Sequence, residues 1–573
     1  MAHVILVCSR SRTNDPSLVE GVKHFCNHLA PDNITPDPPH ISDQPGLLLA
    51  IVNPGIVEPG PQGSACLGHI APPDDTWWKV GHTVPDGSYA LFRSDDHTVE
   101  ILTDIVASRI VWYCQTDEMF IASTSQRALV ALLGNFQFDE SVLAWMLSSG
   151  TLGPEGRWDK RLQRIWGDTR LSLNRDTWEL TLHEQPASFS PADRSENEWN
   201  KDLLDVLQTT IASYHTLRWD DWMMTLSGGG DSRALLWLLL QQQVTPRCFT
   251  VGRKESLTTP HNDAFVARAL AERFGLEHQY FNIDTVTVSP ETVLKRYITI
   301  SEGQTDQLAS FIDGFDSWQL LYEQGIKGVA FGHQAFGLRP CFSARDVRLA
   351  SGFLLLTDVF SEDLVRAFDL TPQELSERMQ QREGESLATW RDRLYHTARI
   401  PIVISPLDNA MSAYVETISP LRSRPIIHFI RHMPDSLRTS KYLFQEVIRT
   451  MIPDMEFAKY RAELPAADVL RTDGFVAVLH DELTSAHAQT VLPDNLRHYI
   501  VQRLPQQGEA TASPSILTHA RNILPKKFKS WLRKMGAPLP GVPPALAAFR
   551  VALVSTTTRM LAEDAQAFKK AHK

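Results

Sequence analysis

Along the first 190 or so positions, apolar residues come in short runs of strand length, separated by turn residues. HVILVCS opens the chain as a strand and GLLLAIV follows as another. The Pro- and Gly-rich stretch from Pro54 to Pro73 reads as loop. Four more strand-like runs succeed it: SYALFRS, TVEILTD, SRIVWYC and MFIAST, the first preceded by the turn residues Pro85-Asp86-Gly87. Helical spacing appears near Gln126 to Leu133 and again near Asp139 to Leu147. RIWGDTRLSLNRDTWELTLHE then returns to strands, with a hairpin expected at Asn174-Arg175-Asp176.

From Pro186 to Asn197 the chain turns polar, as a linker would, and Trp199 to Leu217 has the apolar spacing of a helix. The pattern then changes kind. WMMTL, CFTVG and EHQYFNI are short strands, and RALLWLLLQQQ and HNDAFVARALAERFG are the helices between them. Strand, loop and helix repeated in this way predict a mostly parallel sheet. Glu362 to about Tyr499 reads as mainly helical. The pattern therefore divides the chain into a β-rich unit over 1–190, an α/β unit over 199–503 and a mainly helical extension over 504–573, which carries the basic run KKFKSWLRK.

Length supports that division, since 573 residues exceed what one hydrophobic core usually serves. A hydrophobic fraction of 43% and a charged fraction of 21% are those of a globular protein. The formal net charge of -11 argues against a nucleic-acid partner. Cys8, Cys26, Cys66, Cys114, Cys248 and Cys341 form no CxxC pair, so neither a zinc site nor a disulfide framework is expected. The N-terminus lacks the charge pattern of a secretory signal, and the apolar run LLWLLL is too short to cross a bilayer. These features predict a cytoplasmic protein with no integral membrane segment.

The sharpest local signal is Leu226-Ser227-Gly228-Gly229-Gly230-Asp231-Ser232, between a strand and a helix. Glycines let backbone N–H groups approach an anion, and a helix N-terminus adds partial positive charge. Ser227 and Ser232 can donate hydroxyls to phosphate. Asp231 beside phosphate implies a bridging cation, which points to Mg²⁺. The Gly-Lys-Ser/Thr ending of a Walker loop is missing, which weakens a phosphotransferase reading.

SGGGDSR resembles the pyrophosphate loop of the asparagine synthetase B-type amidotransferases and of their relatives, the β-lactam synthetases and lasso peptide cyclases. TDIVASRIVWYCQTDEMFIASTSQRAL and PDGSYAL resemble parts of their glutaminase-like domain. TVGRKESLTTPHNDAFVARALAERFGLEHQYFNI, SPLRSRPIIHFIRHMPDSLR and SKYLFQEVIRTMIPDMEFAKY resemble later parts of the synthetase domain. The resemblance covers about residues 1–480 and is clearer in the second unit. It implies an Ntn-hydrolase-like β-sandwich followed by an adenine nucleotide alpha hydrolase-like ATP-pyrophosphatase domain, with ATP and Mg²⁺ as cofactors. It implies that Leu226 to Ser232 hold pyrophosphate, that Asp231 holds the metal, and that Val251 and Gly252 read adenine. It further implies that Gly332 opens the second loop and that Lys459 stabilises the charge of the transition state.

Three departures redirect the function. Ala2 stands where the family's glutaminases need a cysteine, so the first unit is expected to be an inactive scaffold. His333-Gln334 stand where two metal-loop acids are usual, so either His333 ligates the metal weakly or bonds pyrophosphate when protonated, or Asp306, Asp346 or another register supplies the missing carboxylate. Ala330 stands where the β-lactam-forming relatives have a tyrosine. Lys441 and Arg449 are secondary electrostatic candidates, and Glu302 reads equally as a polar residue at a strand end or as a helix cap. The expected activity is an isopeptide-forming macrocyclase similar to lasso peptide cyclases. ATP would activate a side-chain carboxylate of a precursor peptide for attack by the N-terminal amine. A leader peptidase and a leader-recognition protein are further expected partners. The alternatives are a small-molecule amide synthetase of the same family and a non-catalytic nucleotide- or peptide-binding partner, to which His333-Gln334 point.

Overall fold

The computed structural model describes residues 3–55, 57–284, 287–505 and 541–571. The protein is an α/β protein with an N-terminal antiparallel β-sandwich and a C-terminal, largely helical region built on a parallel five-stranded sheet. Twelve strands make the sandwich. They are β1 (His3–Ser9), β2 (His40–Gln44), β3 (Leu47–Val52), β4 (Glu58–Gly60), β5 (Ser64–Ile70) and β6 (Gly87–Ser94), then β7 (Thr98–Thr103), β8 (Val111–Gln115), β9 (Met119–Ser123), β10 (Gln163–Ile165), β11 (Thr169–Asn174) and β12 (Leu180–Glu184). One sheet runs β10-β8-β9-β1-β3-β2, the other β12-β11-β7-β6-β5-β4.

The continuous apolar runs of β1 and β3 have a physical reason. Val4, Leu6 and Cys8 on β1 face the second sheet, where Phe92, Ile101 and Leu171 meet them. Ile5 and Val7 point the other way, into a core shared with helices Pro16–Leu29, Gln126–Leu132 and Ser141–Ser149. A strand covered on both faces shows no alternation of polar and apolar residues. The hairpin at 174–176 joins β11 to β12 as expected. The loop expected over Pro54 to Pro73 is instead interrupted by β4 and the seven residues of β5, which pairs with β6. Prolines 54, 59, 61, 72 and 73 lie outside β5, so they do not interrupt its ladder.

The linker expected from Pro186 runs without regular structure to Ser195, whose side chain caps the helix Glu196–Ala212 through a capping box with Glu198. The second sheet system contains β13 (Trp222–Thr225), β14 (Arg247–Gly252), β15 (His278–Asn282), β16 (Gly328–Ala330) and β17 (Glu416–Ile418). Its order is β15-β14-β13-β16-β17, and every neighbouring pair is parallel. From β13 the chain winds to one side through β14 and β15, then crosses back to β16 and β17. The reversal puts a topological switch point between β13 and β16, and open parallel sheets bind ligands at such a crevice.

The C-terminal helix Pro544–Ala571 packs between the two regions. Arg127 of the sandwich forks onto Asp564, and Arg550 reaches Asp306 at 2.7 Å. By length and composition this helix could cross a membrane, but 67% of its apolar window is buried within the protein. The basic run from Lys526 to Lys534 and the residue Ala2 lie outside the described residues. Glu302 ends the helix Pro290–Ser301, not a strand, and is buried at the seam between the regions. Its carboxylate accepts from the Ser125 hydroxyl and from the Gln126 N–H at 2.8 Å, capping a helix of the sandwich. Burial raises its pKa to about 7, opposed by its bond to Ser125 and by Arg127.

Candidate functional site

The switch point opens into a cleft of about 590 Å³. One wall is the loop that follows β13. Ser227 N–H donates to the Ser232 hydroxyl at 3.1 Å, and the two hydroxyls lie 2.8 Å apart. Gly229 N–H donates to the Ser227 hydroxyl at 3.2 Å, and Gly228 N–H to Asp263 at 2.9 Å. The turn is thus tied at both ends before the helix Gly230–Gln241 begins. The first N–H groups of that helix have no partner within it and face the loop's concavity.

Two glycines are there because other chain segments approach closely. A Cβ on Gly228 would come within 2.6 Å of the Ala458 Cβ, and one on Gly332 within 2.6 Å of the Ser232 backbone. The loop after β16 therefore lies directly on the loop after β13. Ala458 N–H donates to Gly228 O at 3.0 Å, fastening a third segment to the same turn. Arg233 holds that segment from below, donating to Met455 O and Glu456 O at 2.7 Å and stacking on Phe457.

Lys441 stands out. Its ammonium donates to Asp231 at 2.6 Å. Ser440 and Lys441 both have left-handed backbones, with φ of 59° and 58°. Neither is glycine, and such conformations cost about 1–3 kcal/mol each unless the surroundings enforce them. Here Ser440 N–H donates to Leu338 O at 2.8 Å and Lys441 N–H to Gly337 O at 3.1 Å, so the second loop fixes the turn that aims the lysine.

Of the residues singled out from sequence, Leu226, Ser227, Asp231, Ser232, Val251 and Gly332 line the cleft together. Gly228, Gly229 and Gly230 form the turn beneath them. Gly252 is covered instead, since Ala462 lies where its Cβ would point and its carbonyl accepts from Ile283 N–H at 3.0 Å. Lys459 is exposed, and only its backbone is engaged, donating to His261 O at 2.8 Å. Its chain neighbours Arg461 and Glu463 do line the cleft. Arg449 is a surface residue paired with Glu446. Neither candidate for the missing acid reaches the cleft. Asp306 is taken by Arg550, and Asp346 sits in the first turn of the helix Ala344–Ser351, accepting from Phe342 N–H.

The far wall holds two residues that sequence reasoning passed over, Asp408 and Arg422, beside His333. Asp408 lies on the helix Ser405–Met411, which continues a π-helical stretch over Tyr395–Ile404. Arg422 follows β17, and His333 follows β16. His333 stacks on Phe331, 4.8 Å between ring centres. Burial lowers its pKa to about 3, with Arg422 and Lys441 acting in the same direction, so the imidazole is neutral. Burial raises the Asp408 pKa to about 6, opposed by Arg422 and Arg109.

The donors suit a magnesium ion that arrives with nucleotide phosphates, not one caged by protein. Asp231 is the one carboxylate of the two loops. The second loop offers an imidazole and an amide, and the Gln334 amide oxygen already accepts from Phe336 N–H at 2.5 Å. Among the described residues, no group of three or more His, Cys, Asp and Glu is disposed to hold a metal. One protein carboxylate with substrate phosphates is an ordinary arrangement for Mg²⁺.

Among the described residues, the start of β1 is closed. His3 is 4% exposed and its Nδ1 pairs with the Thr124 hydroxyl at 3.0 Å. No family model matches this chain, and no curated protein matches it. Among solved structures it aligns with a glutamine phosphoribosylpyrophosphate amidotransferase from B. subtilis complexed with ADP and GMP. A structure described as the allosteric regulatory enzyme of purine biosynthesis aligns as well. Each is 10% identical with a TM-score of 0.21, and the alignments cover 64% of this chain and 88% and 87% of those chains. Likeness that slight carries no argument about fold or activity, so the reading rests on the cleft itself.

Proposed function

We propose that this protein is an ATP-dependent ligase that forms an amide bond through an acyl-adenylate, with the parallel-sheet region as an adenine nucleotide alpha hydrolase-like domain and the sandwich as a glutaminase-like scaffold. The observation that carries this is the glycine loop at the switch point, with a lysine aimed at its aspartate by a strained, pinned turn. Backbone N–H groups at the start of the helix Gly230–Gln241 and the hydroxyls of Ser227 and Ser232 would hold the β- and γ-phosphates. Backbone at Val251 would read the adenine. Lys441, preorganised beside Asp231, would strengthen its interaction as charge builds on the departing pyrophosphate. Lys459, on the segment fastened to Gly228, would come into play with substrate bound. Asp231 would hold a phosphate-borne Mg²⁺, which supplies charge neutralisation when present.

The finer reading is a macrocyclase that joins a precursor peptide's side-chain carboxylate to its N-terminal amine, as in lasso peptide biosynthesis, with a leader peptidase and a leader-recognition protein as partners. Its support is the family resemblance of SGGGDSR and of the Lys459 segment. A non-catalytic nucleotide-binding partner is the second reading, favoured by His333 and Gln334 in place of acids. Mass spectrometry of a candidate precursor incubated with the protein, ATP, Mg²⁺ and its protease separates the two. Loss of one water with matching AMP and pyrophosphate supports the ligase. Release of ADP and phosphate overturns adenylation, and no turnover with retained ATP binding supports the second reading.

A further inference from the structure

Arg233 is a buried cation without a counter-ion. It is 1% exposed and follows Ser232 in the opening turn of the helix Gly230–Gln241. Burial lowers its pKa to about 10, so the guanidinium stays charged. Arg93, Arg109, Arg391, Arg393 and Arg438 are buried as deeply, and each pairs with a carboxylate. Among the described residues, no carboxylate lies within ion-pair distance of Arg233. Its two terminal nitrogens donate to the carbonyls of Met455 and Glu456, each at 2.7 Å, and the Phe457 ring lies 4.1 Å away. A charge buried against carbonyls and a ring is costly, and a methionine or leucine would fill the same space with less penalty. Packing alone therefore does not account for an arginine here.

What the fork supplies is geometry. Bonds from one rigid guanidinium to two consecutive carbonyls fix both the place and the orientation of a chain segment. Directly after those carbonyls, Ala458 N–H donates to Gly228 O at 3.0 Å, so the segment is fastened to both ends of the phosphate loop. From Lys459 onward a different set of bonds takes over. Lys459 N–H donates to His261 O, Asn262 Nδ2 to Arg461 O, and Arg253 N–H to Ala462 O. Arg461 and Glu463 then line the cleft. Lys459 stands at the joint between the two sets.

We propose that Arg233 is a positioning residue, a clasp that carries the placement of the phosphate loop over to Lys459 and so sets where that ammonium stands when substrate arrives. The inference rests on the ligase reading for what Lys459 does, and on the fork for how its segment is held. Arg233 itself touches no reacting group. Its loss should therefore reproduce the loss of Lys459 and not add to it.

The test is a double-mutant cycle in the full chain, Arg233→Lys with Lys459→Ala, read by amide formation, ATP affinity and amide hydrogen exchange. A lysine keeps the charge but cannot reproduce the fork on two carbonyls. Arg233→Lys is expected to lower amide formation about tenfold, as Lys459→Ala does, with ATP affinity changed less than about twofold. In the Lys459→Ala background it should cost less than about twofold more, because residues acting as one unit are not additive. Exchange over residues 455–459 should quicken in Arg233→Lys, while β13 stays as it was. Arg233→Met, which fills the space without charge, serves in the cycle if the lysine form does not fold. Losses that multiply in the double variant, or unchanged exchange over 455–459, overturn the clasp. A fall in ATP affinity as large as the fall in amide formation overturns it too, since the arginine would then serve the phosphate loop alone. The unmodified protein separates the two claims. If it forms no AMP from ATP and precursor, the ligase reading fails, and the exchange comparison alone decides whether Arg233 holds the segment.

Discussion

The two halves of this protein differ in what they bring together. In the sandwich, His3 meets Thr124, Arg93 meets Glu100, and Asp104 accepts from Tyr89 N–H and Val106 N–H, and the start of the first strand is closed. In the parallel-sheet region, the glycine loop, the loop after β16 and the pinned Lys441 meet at one cleft. The proposed division of labour, support in the first region and chemistry in the second, rests on that cleft.

The largest effects should come from the Asp231–Lys441 pair. Lys441→Ala is expected to lower AMP and pyrophosphate formation by roughly 10²–10³, as deletion of one preorganised oxyanion donor does elsewhere. Asp231→Ala should act comparably, and the thermal melt should stay near that of the parent because both side chains are partly solvated. Lys459→Ala is expected to cost less, on the order of tenfold, and to spare ATP affinity. A larger loss for Lys459 than for Lys441 would exchange their roles. Working the other half, the pure protein should release no ammonia from glutamine above background. Sustained glutaminase activity would break the division of labour between the regions.

Stability tests are smaller in scale. Gly332→Ala drives a Cβ into the Ser232 backbone, and overpacking of that kind costs about 1–3 kcal/mol, readable in a denaturant titration. The change should also loosen the phosphate loop. Glu302 gives the smallest effect. Its folded pKa, about 7, lies above its ordinary value of 4.5, so the folded state binds the proton more tightly. The fold's advantage is thus greatest at low pH and is lost as pH rises from about 4.5 to about 7. Glu302→Gln should flatten the fall in melting temperature across that window. An unchanged slope would mean that another group carries it.

Much of this architecture was legible in the chain. β1 and β3 announced themselves because burial on both faces leaves unbroken apolar runs. The glycine loop was legible because strand, glycines and helix follow in immediate succession. β5 was hidden by prolines that lie just beyond its ends. β16 and β17, three residues each, are too short to leave a periodic trace, yet they create the switch point. Glu302 left a strand end and a helix cap equally open because the partner that decides for the cap, Ser125, is 177 residues away. The Arg422–Asp408–His333 group had no local signature, since only the fold brings β16, β17 and the helix Ser405–Met411 to one wall. Lys441 ranked behind Lys459 for the same reason: sequence gives no hint that Ser440 and Lys441 turn left-handed against the second loop.

Amide hydrogen exchange of the full chain, with and without ATP and Mg²⁺, tests the contrast between the halves most directly. Nucleotide bound at the switch point should slow exchange in Leu226 to Arg233 and in Gly332 to Leu338, and leave β1 and β3 unchanged. Unchanged exchange in both loops at saturating ATP, or protection centred on the sandwich, would contradict it.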